Sequence, residues 1–349
     1  MPWEVAVATQ IGVEELASHL SDPVEGPVLT LVDLTDTWRL PRHLAGPVVE
    51  AAATSRRLLI GVGDPDPGWA PVLAELTCTI GAGGGPADPR IVRTPSVPDT
   101  IAQVSEAVEG APEAASAVAW LLRTTGSLAV GDALVAEALA HAAVRAGPAH
   151  ATWLAGRSAV PARAQTDPVV YADHIGDRLM LTLNHPQRDN ALDAPVRDAL
   201  IAHLAAAVGD ESVRSVVLAG AGPSFSASTD VPAQGTSVPL LRPEQRPGAL
   251  LYRCTQRLGP EVVARVHGQV LGAGLELAAF AGWVVADPEA VLGLTGLAAG
   301  LVPGAGGTVS VPRRTGRWRA AYLALTGARI DARTAHAWGL VDEVSRLNP

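Results

Sequence analysis

Three glycine-containing turns, each following a predicted strand, place backbone N–H groups where a negative charge can be held. They are residues 222–230 (GPSFSASTD), 267–276 (HGQVLGAGLE) and 302–308 (VPGAGGT). N–H groups at a helix start have no partner within the helix, and two that converge form an oxyanion hole. Each turn taken alone also fits simple tight packing, and none matches the dinucleotide fingerprint or a P-loop. The turns indicate an anion or oxyanion site without naming a reaction.

The basic residues narrow the chemistry, because all 26 are Arg and none is Lys. This excludes a pyridoxal Schiff base, a Schiff-base aldolase and a P-loop lysine. An anionic ligand must be held by Arg, backbone N–H groups or helix N-termini. The net charge of −9 argues against nucleic acid or an anionic membrane as a partner.

Cysteine usage and the start of the chain indicate a reducing compartment. Cys78 and Cys254 have no metal-ligand spacing and are typical of small buried side chains, so we expect no metal site. A signal peptide has a basic region followed by an apolar core, and this pattern does not follow Met1. We therefore expect a cytoplasmic protein without a membrane span.

The second half of the chain alternates predicted strands with helices, which is typical of an α/β domain. Short apolar, β-branched runs predict four strands, at residues 178–183, 215–220, 262–266 and 283–287. Asp193 is placed to cap a helix with apolar residues on one face.

The first half divides into two parts. Residues 27–32, 43–53 and 57–62 predict a strand, a helix and a second strand, whereas three helices are predicted at 114–123, 132–145 and 148–154. We therefore place an α/β extension at 1–94, a helical segment at 95–165 and the main domain at 166–349.

Six motifs of the second half, in this order, resemble the crotonase superfamily, the enoyl-CoA hydratase/isomerase family. They are residues 184–192 (NHPQRDNAL), 224–230, 267–276, 303–308, 325–329 (LTGAR) and 337–342 (AWGLVD). The resemblance runs from about residue 169 to 347. It implies a spiral of ββα turns, a trimer or hexamer of identical chains, and an acyl-CoA thioester as substrate, with no other cofactor.

In such proteins two backbone N–H groups hold the thioester oxygen as an enolate develops. The matching donors here are Thr229 and Ala273, and both regions depart from the usual pattern. Ser228 stands where Gly is usual, and Ala273 replaces the middle residue of three glycines. The added Cβ strains the turn only where φ is positive, so we expect the oxyanion hole to survive.

The proton-transfer residues are only half present. Hydratases of the family use two glutamates, and the first matches Glu276, which otherwise fits a buried structural carboxylate. The second position holds Gly296, beside Thr295, which can order a water. Since losing one proton-transfer group costs about 10²–10⁴ in rate, Gly296 argues against a full two-glutamate hydratase mechanism. Isomerases of the family usually keep the second glutamate and not the first, so a simple isomerase does not fit either. A single carboxylate at the Glu276 position leaves decarboxylation, thioester hydrolysis, proton shuttling or lost activity open.

The resemblance also implies contacts for the coenzyme. Arg188 precedes the Asn-Ala-Leu loop that runs beside the CoA phosphates, although it also fits a solvated loop Arg. An arginine cluster at 313–319 fits either phosphates or a neighbouring subunit. The implied substrate-binding set is Arg188, Ala191, Ala227, Asp230, Val231, Gly272, Thr295 and Gly296.

The helices of the first half resemble the C-terminal helices that normally cap the acyl pocket in this family. We therefore hypothesise that residues 1–165 are a reduced first crotonase copy whose helices cover the Glu276 site, with Arg157 or Arg163 reaching CoA. An unrelated α/β extension is the alternative. Helices 114–156 lying far from Glu276 would exclude the first reading.

Taken together, the sequence predicts an acyl-CoA-processing enzyme of the enoyl-CoA hydratase/isomerase type, with Glu276 as general acid or base. Two alternatives stay open. One is a non-catalytic crotonase-like subunit or CoA-binding partner, for which Gly296 marks lost activity. The other is a cofactor-free oxygenase or decarboxylase on the same scaffold.

Overall fold

The computed structural model describes residues 8–21, 27–84, 88–157, 167–227 and 246–347, which form a mixed α/β structure. The strands are β1 (Ala8–Gly12), β2 (Leu29–Asp33), β3 (Leu58–Val62), β4 (Cys78–Ala82), β5 (Ile91–Thr94), β6 (Val170–Ile175), β7 (Arg178–Leu183), β8 (Ser215–Gly220), β9 (Val262–Val266), β10 (Gln269–Leu271), β11 (Trp283–Ala286), β12 (Val291–Gly293), β13 (Arg329–Asp331) and β14 (Glu343–Val344). The helices are α1 (Leu16–His19), α2 (Ala45–Thr54), α3 (Ala70–Glu75), α4 (Val97–Gly110), α5 (Pro112–Thr124), α6 (Val130–Arg145), α7 (Pro148–Ala155), α8 (Ala194–Gly209), α9 (Pro247–Leu258), α10 (Ala273–Ala278), α11 (Gly307–Thr315), α12 (Arg317–Thr326) and α13 (Ala332–Ala337).

The first half contains a parallel sheet whose strands β1 to β5 follow the order of the chain. Helices cover both faces of this sheet, as is usual for parallel sheets, and its strands therefore carry apolar side chains on both faces. Leu59 packs with α1–α3, whereas its neighbours Leu58 and Ile60 face the opposite side, in the core that includes α4 and α5. The predicted strand–helix–strand pattern is confirmed at β2, α2 and β3, although β1, β4 and β5 were not predicted.

The four helices α4 to α7 follow this sheet. The predicted helices at 114–123, 132–145 and 148–154 correspond to α5, α6 and α7. Helix α4 begins at Ser96, whose Oγ accepts a hydrogen bond from the Asp99 N–H at 3.3 Å. Such a cap satisfies one of the free N–H groups of the first turn.

The second half contains a six-stranded sheet in the order β14-β11-β9-β8-β7-β6, with β10, β12 and β13 in a smaller sheet. Apart from the β6–β7 hairpin, the pairs of the larger sheet are parallel. All four predicted strands are present, and Asp193 caps α8 by accepting a hydrogen bond from the Val196 N–H at 3.3 Å. The predicted α/β class is confirmed.

The two halves share one hydrophobic core. The cluster of buried side chains runs without a break from β2 and β3 through α5 and α6 to α11 and α12. Hydrogen bonds reinforce this contact, since the Thr125 hydroxyl donates to the Thr308 carbonyl at 2.7 Å. The predicted boundary between the halves falls largely on residues 158–166, outside the described residues. Within the described parts of the chain, no helix combines the length and apolar character needed to cross a membrane.

Candidate active site

A cavity of about 280 Å³ lies where the two halves meet. Its walls include residues of α6 and α7 from the first half. From the second half they include residues of the segments 272–277 and 295–305, together with Leu192, Arg197 and residues 246–248. Glu276, Gly272, Ala273, Thr295 and Gly296 all line it, so the structure brings these five predicted residues together. The prediction that helices of the first half cover the Glu276 site is confirmed.

Glu276 lies on α10 and is only 4% exposed. Its Oε2 accepts hydrogen bonds from the Ala305 N–H at 2.6 Å and the Gly307 N–H at 3.0 Å. A Cβ on Gly307 would lie 2.6 Å from the Glu276 Cγ, so the carboxylate approaches this closely only because residue 307 is glycine. No hydrogen bond among the described residues uses the second oxygen, Oε1, of this cavity-lining side chain.

A second carboxylate, Glu137 of α6, approaches the same loop and is fully buried. Its Oε1 accepts from the Gly306 N–H at 2.7 Å, and its Oε2 accepts from the Thr308 N–H at 2.8 Å and the Thr308 hydroxyl at 2.7 Å. Both of its oxygens are therefore used within the protein, and Glu137 does not line the cavity. It positions the loop rather than reaching a ligand.

Sequence reasoning missed Glu137, although a signal was present. Glu137 falls on the buried stripe of α6 with Leu134 and Ala138, where an acidic side chain requires a partner. The third turn holds negative groups, as its N–H groups predicted. The N–H groups of residues 305–308 donate to the protein's own carboxylates.

The buried position of the two carboxylates changes their proton affinity. Burial first and the nearby Glu137 second raise the pKa of Glu276 to about 8, against the opposing hydrogen bonds from Ala305 and Gly307. Burial likewise raises the pKa of Glu137. Arg246 interacts with both groups and offsets part of this effect. The Glu276 carboxyl group therefore holds its proton more tightly than an exposed glutamate does.

Two histidines from the first half also line the cavity. The His141 Nδ1 lies 2.9 Å from the Val302 carbonyl oxygen, and the His150 Nδ1 lies 2.8 Å from the Ala299 carbonyl oxygen. Since a carbonyl oxygen only accepts, each Nδ1 carries the proton in these bonds. His150 also stacks on Trp153, with ring centroids 5.5 Å apart.

The second turn retains one of the two expected N–H donors. Ala273 is the first residue of α10, where an N–H has no partner within the helix. The positive φ values of this turn belong to two glycines, Gly268 at 55° and Gly272 at 52°. Among described non-glycine residues only Asp189 and Asn190 have positive φ. The Ala273 methyl group is therefore accommodated without backbone strain.

The other expected donor lies outside the described residues. Residues 228–245 are not described, and the predictions for Thr229, Asp230 and Val231 fall among them. Ala227, just before, donates its N–H to the Asp189 carbonyl at 2.8 Å. This bond ties the first turn to the Asn-Ala-Leu loop, in which Ala191 is buried.

Gly296 leaves the second carboxylate position without a side chain. It begins a short 3-10 helix at 296–299, and a Cβ there would lie 3.2 Å from the Leu301 carbonyl oxygen. Among the described residues, Glu276 is the one carboxylate that lines the cavity.

The arginines near the cavity differ from those expected. Arg188 pairs with Asp193 at 3.3 Å and is not among the lining residues, Arg157 lies over the Trp153 ring, and Arg163 is outside the described residues. The cavity is instead lined by Arg145, Arg197 and Arg246.

The arginine cluster at 313–319 has a structural role within the chain. Arg313 donates to the carbonyls of Thr125 and Leu128, and Arg314 donates to those of Ala279 and Ala281. The other two also donate to carbonyls of the same chain, Arg317 to Ala74 and Arg319 to Trp338.

Comparison with known proteins is consistent with this geometry. Residues 179–347 match the family model described as enoyl-CoA hydratase/isomerase. A 2,3-dehydroadipyl-CoA hydratase of Escherichia coli is 35% identical over 167 residues, covering 48% of this chain and 65% of that protein. A 1,2-epoxyphenylacetyl-CoA isomerase of the same organism is 34% identical over 171 residues, covering 48% and 65%.

A longer match is found with a mevalonyl-coenzyme A hydratase of Beauveria bassiana. It is 32% identical over 193 residues, covering 53% of this chain and 68% of that protein. The chain thus spans about two-thirds of the length of these relatives, and the matches to them cover about half of this chain.

Proposed function

This chain belongs to the enoyl-CoA hydratase/isomerase family, the crotonase superfamily, and we propose that it is an acyl-CoA enzyme working through a thioester enolate. In this proposal Glu276 is the general acid or base. The thioester oxygen accepts hydrogen bonds from the N–H groups of Ala273 and Thr229. The expected absence of another cofactor, the cytoplasmic location and the trimeric or hexameric assembly stay predictions.

One observation carries the proposal: the Glu276 carboxyl group and the first residue of its own helix, Ala273, line the same cavity. An acid–base group and an oxyanion donor must both lie within about 3 Å of the reacting atoms. Because both are on α10, only three residues apart, the helix fixes their relative position. Transition-state charge on the thioester oxygen is thereby stabilised beside the group that moves the proton.

The cavity also supports a negatively charged substrate. Arg145, Arg197 and Arg246 line it, and guanidinium groups are well suited to phosphates. In addition to Arg188, we assign these three arginines to the coenzyme phosphates. The wall at Gly272, Thr295 and Gly296 is assigned to the acyl group. This supplies the arginine contacts that a chain without lysine requires.

A specific observation favours a second candidate, a non-catalytic crotonase-like subunit that binds CoA. Gly296 removes the second carboxylate of the family, and the described residues lining the cavity supply no other. A binding protein has no need of two proton-transfer groups, so acyl-CoA binding without turnover would support this role.

Turnover of a panel of enoyl-, malonyl- and β-hydroxyacyl-CoA thioesters separates the two. We expect the wild-type protein to convert at least one member, and Glu276→Gln to lower kcat by about 10²–10⁴-fold. The exposed Glu289→Gln is the matched control and should retain wild-type activity. If no thioester is converted, or if Glu276→Gln is as active as wild type, the enzyme proposal is wrong.

A further inference from the structure

We propose that His141, contributed by α6 of the first half, is the second proton-transfer group of this site and replaces the carboxylate absent at Gly296. This inference rests on the proposed function and narrows it to addition of water across an α,β-unsaturated acyl-CoA, or the reverse elimination. The first half of the chain would then supply part of the chemistry as well as a cover.

The orientation of the His141 ring is fixed by the backbone. Its Nδ1 lies 2.9 Å from the Val302 carbonyl oxygen and carries the proton, so Nε2 of the neutral ring holds a lone pair. His141 lines the cavity, and no hydrogen bond among the described residues uses Nε2. A nitrogen held in this way is suited to accept a proton from a bound molecule.

His141 and Glu276 are held by one short segment, residues 302–307. The imidazole packs against Gly304, where a Cβ would come within 2.6 Å of Nδ1. The next residue, Ala305, donates its N–H to the Glu276 carboxyl group at 2.6 Å. Because one segment positions both groups, their separation is set by local geometry rather than by the packing of the two halves alone.

The charged groups around the cavity favour complementary protonation states. Burial lowers the pKa of His141, and Arg246, Arg145 and His150 lower it further. The enclosed Glu276 has its pKa raised to about 8. Arg197 completes the titratable groups of the lining among the described residues. Near neutral pH the site thus holds a neutral base and a neutral acid, the pairing that water addition requires.

Two other candidates for the second group fit less well. Both oxygens of Glu137 are used by N–H and hydroxyl donors, and this side chain does not line the cavity. His150 is anchored to Ala299, outside the segment that holds Glu276, and its ring stacks on Trp153.

The reaction balances with these two groups. The His141 Nε2 takes one proton from water as the water oxygen forms its bond to the β-carbon. The π electrons of the double bond move into the thioester, forming the enolate, and Glu276 then gives its proton to the α-carbon. The imidazolium returns its proton to the Glu276 carboxylate through water, which restores both groups.

The test is the pH dependence of enoyl-CoA hydration by His141→Asn. The amide nitrogen of Asn can keep the hydrogen bond to Val302 but offers no group in place of Nε2. We expect kcat to fall by about 10²–10⁴-fold, KM to change far less, and the acidic limb of the pH profile to disappear. The alkaline limb, which reports the loss of the Glu276 proton above about pH 8, should remain.

Matched variants distinguish the possible failures. His174→Asn changes an exposed histidine of β6 and should behave as wild type. The inference is overturned if His141→Asn keeps the wild-type kcat and acidic limb while Glu276→Gln is inactive, which leaves the proposed function standing. It is also overturned if His150→Asn, rather than His141→Asn, removes the acidic limb. If the wild-type protein converts no thioester, the proposed function and this inference both fall.

Discussion

The buried carboxylates of Glu276 and Glu137 both accept hydrogen bonds from the loop 302–308. They differ in role because Glu276 lines the cavity and Glu137 does not. Only Oε2 of Glu276 accepts hydrogen bonds from the loop, whereas both carboxylate oxygens of Glu137 do so. The sequence predicted Glu276 because its motif is local, with the Ala273 donor three residues away. Glu137 could not be paired from the sequence, because its partner Gly306 is 169 residues away and the contact depends on how the halves dock.

The raised pKa of Glu276 predicts how stability varies with pH. A carboxyl group that holds its proton more tightly when folded contributes fully below its ordinary pKa of 4.5, and that contribution is lost as the pH rises toward about 8. Over this range we expect Glu276 to lower the free energy of unfolding by up to about 1.4 kcal/mol per pH unit, the slope for one proton.

Urea unfolding of Glu276→Gln between pH 5 and 9 measures this effect, with Glu289→Gln as the exposed control. The stability of Glu276→Gln relative to wild type should improve as the pH rises, whereas that of the control should not change. A relative stability of Glu276→Gln that is constant or falls with pH would show that the Glu276 pKa is not raised.

At the scale of elements, α6 and the loop 302–308 form one unit. Glu137 and His141 are four residues apart, so they lie on one face of α6, and both contact this loop. The loop is rich in glycine because neighbouring side chains pack so closely against it that a Cβ would collide with them. Gly306, at φ 107°, adopts a left-handed conformation and would meet the Phe280 ring if it carried a Cβ. The sequence predicted a turn here, but not which side chains pack against it.

Gly304→Ala tests this unit. The added Cβ would lie 2.6 Å from the His141 Nδ1, so the imidazole must shift. Since misplacing a catalytic group by about 1 Å can cost about 10²-fold in rate, we expect kcat for enoyl-CoA hydration to fall by about 10–10²-fold.

Gly209→Ala is the matched control, because a Cβ there meets nothing within 4 Å. The double variant Gly304→Ala/His141→Asn should be little slower than His141→Asn alone, since both changes act on one group. Fully additive losses would contradict a shared route through His141.

At the scale of the whole molecule, the cavity belongs to neither half alone. Four strands of the second half, β7, β8, β9 and β11, were predicted because each is a short apolar run, and the motifs of this half identified the family. Strands β6, β10, β12, β13 and β14 were not predicted. The first half was predicted less completely, since β5 has only four residues and β4 carries Gly81. Strand order follows the chain in the sheet of the first half and in the larger sheet of the second. The placement of α6 and α7 over Glu276 agrees with the hypothesis of a reduced first copy.

The most direct test of this account is a crystal structure of the protein bound to an unreactive acyl-CoA analogue. The account predicts that the thioester oxygen lies about 3 Å from the Ala273 nitrogen, with the acyl group between Glu276 and the His141 Nε2. The phosphates should contact arginines of the cavity, Arg145, Arg197 or Arg246. A thioester bound elsewhere, or one whose acyl group contacts neither Glu276 nor His141, would contradict it.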